Sequence, residues 1–205
     1  MTPILNTSHT AGTRTIRHDI KVQAWCHLIR KAGCATSMEP TYSHLLPGNR
    51  RGAAGQCRGD ILAVLPSKLA VLDCVVTHPT AESYVDATHK KPGVAAARAE
   101  QDKRRDFEKF GDGADFDFVP LAIESFGRLG LGASRFLSAL GDIAEGRAFG
   151  VSKERFVRHA RQELSCALVR GNALVYSRFM MQFARITGKQ FTLGLDHPVD
   201  TLGHE

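Results

Sequence analysis

Asp60 and Asp73 are the residues with which chemistry could begin. They stand in RGDILAVLPSKLAVLDCVVTHP, Arg58 to Pro79, where two apolar runs, Ile61–Leu65 and Leu69–Val76, are separated by Pro66-Ser67. Each run reads as a short buried strand, and the Pro-Ser pair as the turn between them. A carboxylate among Leu, Val and Cys is costly unless something positive lies beside it. Twelve residues separate the two acids, so a hairpin closing at Pro66-Ser67 sets them at comparable heights on adjacent strands. Two carboxylates converging there, with positions left for water, suit Mg²⁺, or Mn²⁺ as its substitute. A metal held in this way can polarise a phosphodiester, activate a water and stabilise the leaving oxygen.

Such a site also calls for a cation from the protein. Period-two alternation puts Asp73, Val75 and Thr77 on one strand face, and none of them is basic. The following helical stretch supplies a candidate. Ala96, Ala99, Lys103, Phe107 and Phe110 recur at helical spacing, and Lys103 is the one charge in that seam. Lys103 either reaches the carboxylates, to orient a water or offset phosphate charge, or snorkels to the surface. Glu39, just before Pro40, is either a surface acid or a third carboxylate near the metal. Arg50 and Arg51, in the Gly-rich stretch PGNRRGAAGQCR that ends at Arg58, are candidates to hold a phosphate backbone.

The elements that must position these residues follow from the pattern of the chain. Ile16–Lys31 reads as a helix stopped by Gly33, and Cys34–Glu39 as a strand ended by Pro40. The two strands of the hairpin come next, then a loop through Pro92-Gly93 and a helix over Val94–Phe110. Phe118–Ile123 reads as a further strand. The rest is helical, roughly Ala133–Glu145 and then Ser152 to Ile186, with Ser152 as N-cap and Glu154 in the first turn. Phe179, Met180, Met181 and Phe183 are expected in the core. The order helix, strand, strand, strand, helix, strand does not fit a doubly wound nucleotide-binding fold, which alternates throughout. It fits a mixed α/β sheet with a central antiparallel hairpin, the αβββαβ core order of restriction-endonuclease-like domains. The expected organisation is a disordered or linker segment over 1–15, that core over 16–130, a helical extension packed on it over 131–187, and a tail over 188–205.

Composition sets outer limits. The chain has 205 residues, 43% hydrophobic and 23% charged, which suits an ordinary folded domain. Five cysteines (26, 34, 57, 74 and 166) form no C-x-x-C pair, which argues for a reducing compartment and against a complete zinc site. The first residues have no apolar core after a basic start, so secretion is not expected. No apolar run reaches the length of a membrane span. Lys and Arg outnumber Asp and Glu by 8 to 3 over residues 1–60 and by 8 to 2 over 151–190, against 11 to 13 between them. Basic ends around an acid-bearing centre suit a polyanion-binding protein, and equally suit solvated helix faces. The arginines spaced around the 152–186 helix read by default as solvated.

In order, HTAGTRTIRHDIKVQAWCHLIRKAG (His9–Gly33), Glu39-Pro40, RGD (Arg58–Asp60), VLDCVV (Val71–Val76) and KRRDF (Lys103–Phe107) resemble one known family. It is the restriction-like endonuclease domain of site-specific non-LTR retrotransposon polyproteins, in the PD-(D/E)XK-like nuclease superfamily. The resemblance covers roughly residues 9–130. It implies Asp60 and Asp73 as metal carboxylates, Lys103 as the catalytic lysine, Glu39 as an accessory acid, and Arg17 and His18 as an R-H box on the nucleic acid; Arg58, beside the first acid, is a further candidate nucleic-acid contact. It further implies a Mg²⁺-dependent DNA endonuclease that nicks a target for reverse transcription. The expected partners are DNA and, in a retroelement complex, RNA; the location is the nucleus in a eukaryote and the cytoplasm otherwise. Against that family's pattern Gly59 stands where it has Pro, Asp19 where it has Asn and Phe107 where it has Tyr, and Val75 stands where nucleases of the wider superfamily usually have a lysine. A nucleic-acid-binding remnant without catalysis, and a resolvase or repair nuclease, are the alternatives.

Overall fold

The computed structural model describes residues 8–40, 46, 58–109, 114–147 and 150–188, the first seven of these in backbone only. Arg50 and Arg51, Phe110 and the tail beyond Gly188 lie outside the described residues. In chain order the elements are α1 (Ser8–Lys31), β1 (Ala35–Met38), β2 (Ile61–Val64), β3 (Leu69–Thr77), α2 (Val85–Thr88), α3 (Val94–Glu108), β4 (Asp117–Glu124), α4 (Leu131–Glu145) and α5 (Lys153–Thr187). The sheet order is β1-β2-β3-β4, antiparallel across the first two pairs and parallel between β3 and β4. A parallel pair needs a crossover between its strands, and the segment carrying α3 supplies it. Pro120 falls on β4, an edge strand of this sheet, where a missing backbone donor is tolerated.

Alternation along the strands divides the interior in two. Ile61, Ala63, Ala70, Leu72, Cys74 and Leu121 share one cluster with Trp25 and Ile29 of α1, Phe136 and Leu140 of α4, and Phe156 and Leu164 of α5. On the other face, Val75 and Ala122 pack under Ala96 and Ala99 of α3, beside an aromatic group of Phe107, Phe116 and Phe118. Asp60 and Asp73 have the parity of this second face. Among the described residues, no helix is long and apolar enough to cross a membrane.

Three sequence expectations change. α1 begins at Ser8, so its first turns occupy part of the segment expected to be a linker. α4 and the first half of α5 are not an extension laid on a finished core, because they fill the same apolar cluster as α1 and the sheet. The expected burial of the C-terminal aromatic and Met residues also fails: Phe179 is 50% and Met181 59% exposed. The buried stripe of α5 ends at Gly171, where a Cβ would lie 2.8 Å from Arg17 Cγ of α1. Apolar periodicity continues past that point, but no buried position does.

Two helix starts are capped from a distance. Neither Gly93 before α3 nor Gly130 before α4 has a side chain that could serve. The buried Glu124 at the end of β4 accepts from Ala96 N–H at 3.3 Å. The buried Glu100 of α3 accepts from Gly132 N–H with both oxygens at 3.0 Å, and from Ala133 N–H at 3.3 Å. Free N–H groups and the positive end of the helix favour a carboxylate there. Lys21 is the buried cation: it falls on the interior face of α1, and its Nζ donates to Leu164 O of α5 at 3.0 Å. Burial first, and the charge of Arg17 second, push its pKa from 10.5 down to about 7.

Removing the cap of α4 leaves donors unsatisfied in the interior. Glu100→Ala is expected to lower unfolding stability by about 1–3 kcal/mol, read from urea denaturation. Asp102→Ala, on the exposed side of the same helix, should change it by less than about 0.5 kcal/mol.

Candidate active site

The register of the hairpin brings the two acids together. Ile61 pairs with Leu72, so one step back in the same register sets Asp60 opposite Asp73. β3 continues past the start of β2, and the Asp60 side chain takes the place of the absent strand: its Oδ2 accepts from Cys74 N–H at 2.6 Å. Its own N–H donates to Leu72 O at 3.0 Å. The same carboxylate oxygen lies 3.0 Å from His18 Nε2 of α1. Asp60 is thus held from two elements through one oxygen, and Oδ1 has no partner among the described residues.

On β3, Asp73 is met by Lys103 from α3. The Lys103 Nζ is 2.9 Å from each carboxylate oxygen. The side chains are 16% and 38% exposed respectively, so the pair lies at the edge of the interior with the ammonium reaching in from solvent. Of the two readings of Lys103, the structure has the one that reaches the acid. Val75, two residues after Asp73 on the same strand face, is packed under Ala96 and Ala99.

The electrostatics leave this pair short of balance. Burial pushes the Asp73 carboxyl up from its ordinary value, and Lys103 offsets this only in part, while the charge of Asp60 pushes the same way as burial. Complete burial raises the neighbouring Cys74 thiol well above its usual range, with Asp60 and Asp73 adding to the effect. His18 moves in the direction of a charged partner. Its hydrogen bond to Asp60 outweighs burial and raises its pKa from 6.5 to about 8. Two carboxylates facing each other, with the charged form of Asp73 held at a cost, make a place where a divalent cation is favoured.

The donor set fits magnesium. Mg²⁺ is commonly held by one or two carboxylates and completes its shell with water, and Asp60 and Asp73 supply two, one with an oxygen free of the described residues. Among the described residues there is no group of three His, Cys, Asp or Glu able to hold a metal. Glu39 is not part of such a group among the described residues. Glu39 is exposed, at a left-handed φ of 48°, and its N–H donates to Asp60 O at 2.9 Å. It lines a cleft of about 210 Å³ with His18, Asp19 and Asp60, at the rim of the site.

The basic residues divide. Arg17 does not turn to the acids: its Nη1 donates to Asn172 Oδ1 of α5 at 3.3 Å. Arg58 is exposed two residues before Asp60, and Arg50 and Arg51 lie outside the described residues. The resemblance assigns His18 only to a nucleic-acid contact, and its hold on Asp60 is new in the structure. The helical phase could have suggested it, because His18, Lys21, Val22 and Trp25 share one side of α1. Neither a comparison with protein-family models nor one with curated proteins finds a match for this chain.

The His18–Asp60 pair gives a pH signature in metal-free protein. A histidine whose folded pKa is raised stabilises fully below its unfolded value, and that stability is lost as pH rises through the folded value. In EDTA, wild type should therefore exceed His18→Gln most below pH 6.5, with the difference shrinking as pH passes about 8. Lys21 titrates in both proteins, with stability rising as pH climbs above about 7, and so cancels in the difference. Urea midpoints from pH 5.5 to 9 read it out; a difference that does not change with pH excludes the pair.

Proposed function

We propose that this chain is a Mg²⁺-dependent endodeoxyribonuclease with a restriction-endonuclease-like core, acting on DNA as part of a retroelement. The observation that carries the reading is the convergence of Asp60, Asp73 and Lys103 from three separate elements. The αβββαβ order and the mixed four-stranded sheet support the finer assignment of fold. On this reading Asp60 and Asp73 hold the metal, which when bound supplies Lewis-acid polarisation of the phosphate and a water of lowered pKa. Lys103, fixed at Asp73, lies where its ammonium orients a water or offsets charge that grows on the phosphate. His18 keeps Asp60 aimed, its Nε2 3.0 Å from the carboxylate. Nicking of a target strand to expose a 3′-hydroxyl for reverse transcription follows from the sequence resemblance, as do an RNA partner and a nuclear location in a eukaryote.

A second reading, a nucleic-acid-binding remnant without catalysis, is favoured by one observation: Lys103 occupies both oxygens of Asp73, a closed ion pair. Cleavage separates the two. With supercoiled plasmid and Mg²⁺, Asp60→Asn, Asp73→Asn and Lys103→Ala should each lower nicking by about 10²-fold or more. DNA binding should persist in the two Asn variants, since binding rests on basic contacts to phosphate. Arg104→Ala, exposed and one residue on, should nick within a few-fold of wild type. Wild-type nicking by Asp73→Asn would overturn the mechanism, and the absence of nicking by wild type would favour the remnant.

Thermal melting gives a test that needs no turnover. Metal that binds only the folded chain raises its stability, so millimolar Mg²⁺ or Mn²⁺ should raise the Tm of wild type. Asp73→Asn should melt higher than wild type in EDTA, because the cost of burying a charge there, and with it the repulsion from Asp60, is gone, and should no longer respond to metal. A wild-type melting curve that ignores the metal titration excludes the site.

A further inference from the structure

Away from the acids, the turn joining β4 to α4 is held from every side. Gly127 N–H donates to Glu124 O and Glu124 N–H to Arg128 O, each at 2.8 Å, while Ser125 N–H donates to Thr77 O at 2.8 Å. Ser125 O accepts from Asn172 Nδ2 at 2.9 Å, and Asn172 in turn accepts from Arg17. Gly127 takes the reversal at a φ of +99°, a conformation that suits glycine. At the tip of this rigid turn Phe126 is 74% exposed, with the ring of His78 edge-on to it, 5.4 Å between centroids. A large aromatic held in water by an ordered backbone is presented there, not left over from a loose loop.

Beside the tip opens a cleft of about 410 Å³ whose polar lining is Arg128, Arg161 of α5, Ser134 of α4 and Ser165 of α5, over the apolar side chains of Ile123 and Leu129. Among the described residues no carboxylate lines it. Among the described residues neither guanidinium has an ion-pair partner and neither serine hydroxyl has a hydrogen-bond partner. Elsewhere on the surface Arg105, Lys109 and Lys153 are each paired with an aspartate. Two free guanidiniums and two free hydroxyls from three elements match a phosphate group, which accepts from both donor types. The adjacent exposed ring matches the face of a nucleobase. The volume suits a nucleotide-sized group.

We infer that this cleft holds one nucleotide of a single-stranded stretch of nucleic acid, with Arg128 and Arg161 on the phosphate and Phe126 against the base. The inference rests on the nucleic-acid part of the function proposed above and is independent of whether cleavage occurs. Arg17 and His18, neighbours on α1, brace the two places: His18 holds Asp60, and Arg17 reaches the tip through Asn172. A strand gripped at the tip is thereby referred to the same helix that fixes the acids.

The test uses the full chain in EDTA and a mixed-sequence single-stranded DNA carrying 2-aminopurine, with affinity measured by anisotropy over a salt series. The double variant Arg128→Gln/Arg161→Gln should bind more weakly and lose about 0.7 from the slope of log K against log salt, the value for one phosphate neutralised on a single strand. Phe126→Ala should bind about tenfold more weakly, lose the 2-aminopurine fluorescence change and keep the slope. Arg105→Gln, which removes a charge elsewhere, should do neither. The altered residues are exposed, and far-UV circular dichroism checks that the variants fold. Wild-type affinity and slope in the double variant, an equal loss in Arg105→Gln, or no binding by wild type would each overturn the assignment. A wild type that nicks plasmid while its double variant binds unchanged leaves the nuclease reading standing and this one fallen. Salt and fluorescence responses as expected, in a protein that never nicks, do the reverse.

Discussion

Two negative charges facing each other across one pair of strands form the constraint around which this chain is arranged. Neither can be left alone in a half-apolar setting, and the compensating groups cannot come from the strands, whose other positions are taken by the core. They come from helices on either side. Lys103 requires α3 to lie over β3, and α3 lies there because the crossover to β4 carries it over that face of the sheet. His18 requires α1 to pass the open end of β2, where Asp60 has already replaced a missing backbone acceptor for Cys74. The compensation is incomplete: burial of Asp73 prevails over the attraction of Lys103, so its carboxyl remains raised.

The same logic governs the other buried charges, with different outcomes. Glu100 and Glu124 are satisfied by backbone N–H groups at helix starts, donors that would otherwise be orphaned, so each acid and each helix end solves the other's problem. Lys21 has a single carbonyl for its ammonium, and one neutral acceptor does not repay the desolvation of a charge. Its pKa therefore falls until the neutral form competes near pH 7. Interior acids here are structural, and the interior lysine is a tolerated expense at the seam between α1 and α5.

Much of this was legible from local pattern. The hairpin register followed from Pro66-Ser67 and the spacing of the two acids, while the phase of α3 put Lys103 on the apolar seam and left open whether it reached the acids or the surface. What escaped was long in sequence. The caps by Glu100 and Glu124 join residues 32 and 28 positions apart, and Arg17 meets Asn172 across 155; no periodicity encodes such partners. Phe179 and Met181 failed for a different reason. Their spacing is that of a buried stripe, but spacing says only which residues share a face, not whether anything lies against it. Lys21 was passed over because a cation on an apolar face looks like an error in the pattern, when it was part of the interior.

The two borrowed caps have a consequence for how α3 is located in space. A helix laid on a sheet keeps two easy freedoms, sliding along its axis and rolling about it. The bond from Glu124 to its first turn acts as a stop against sliding. The grip of Glu100 on α4, one helical turn before Lys103, acts as a key against rolling. With both freedoms removed, the tip of a flexible lysine is delivered to a fixed address by parts that never touch it, much as a dowel and a keyway index a shaft. Tolerance at the acids is therefore set by a machined fit a turn or two back along the helix, and wear there would show first as misalignment of Lys103.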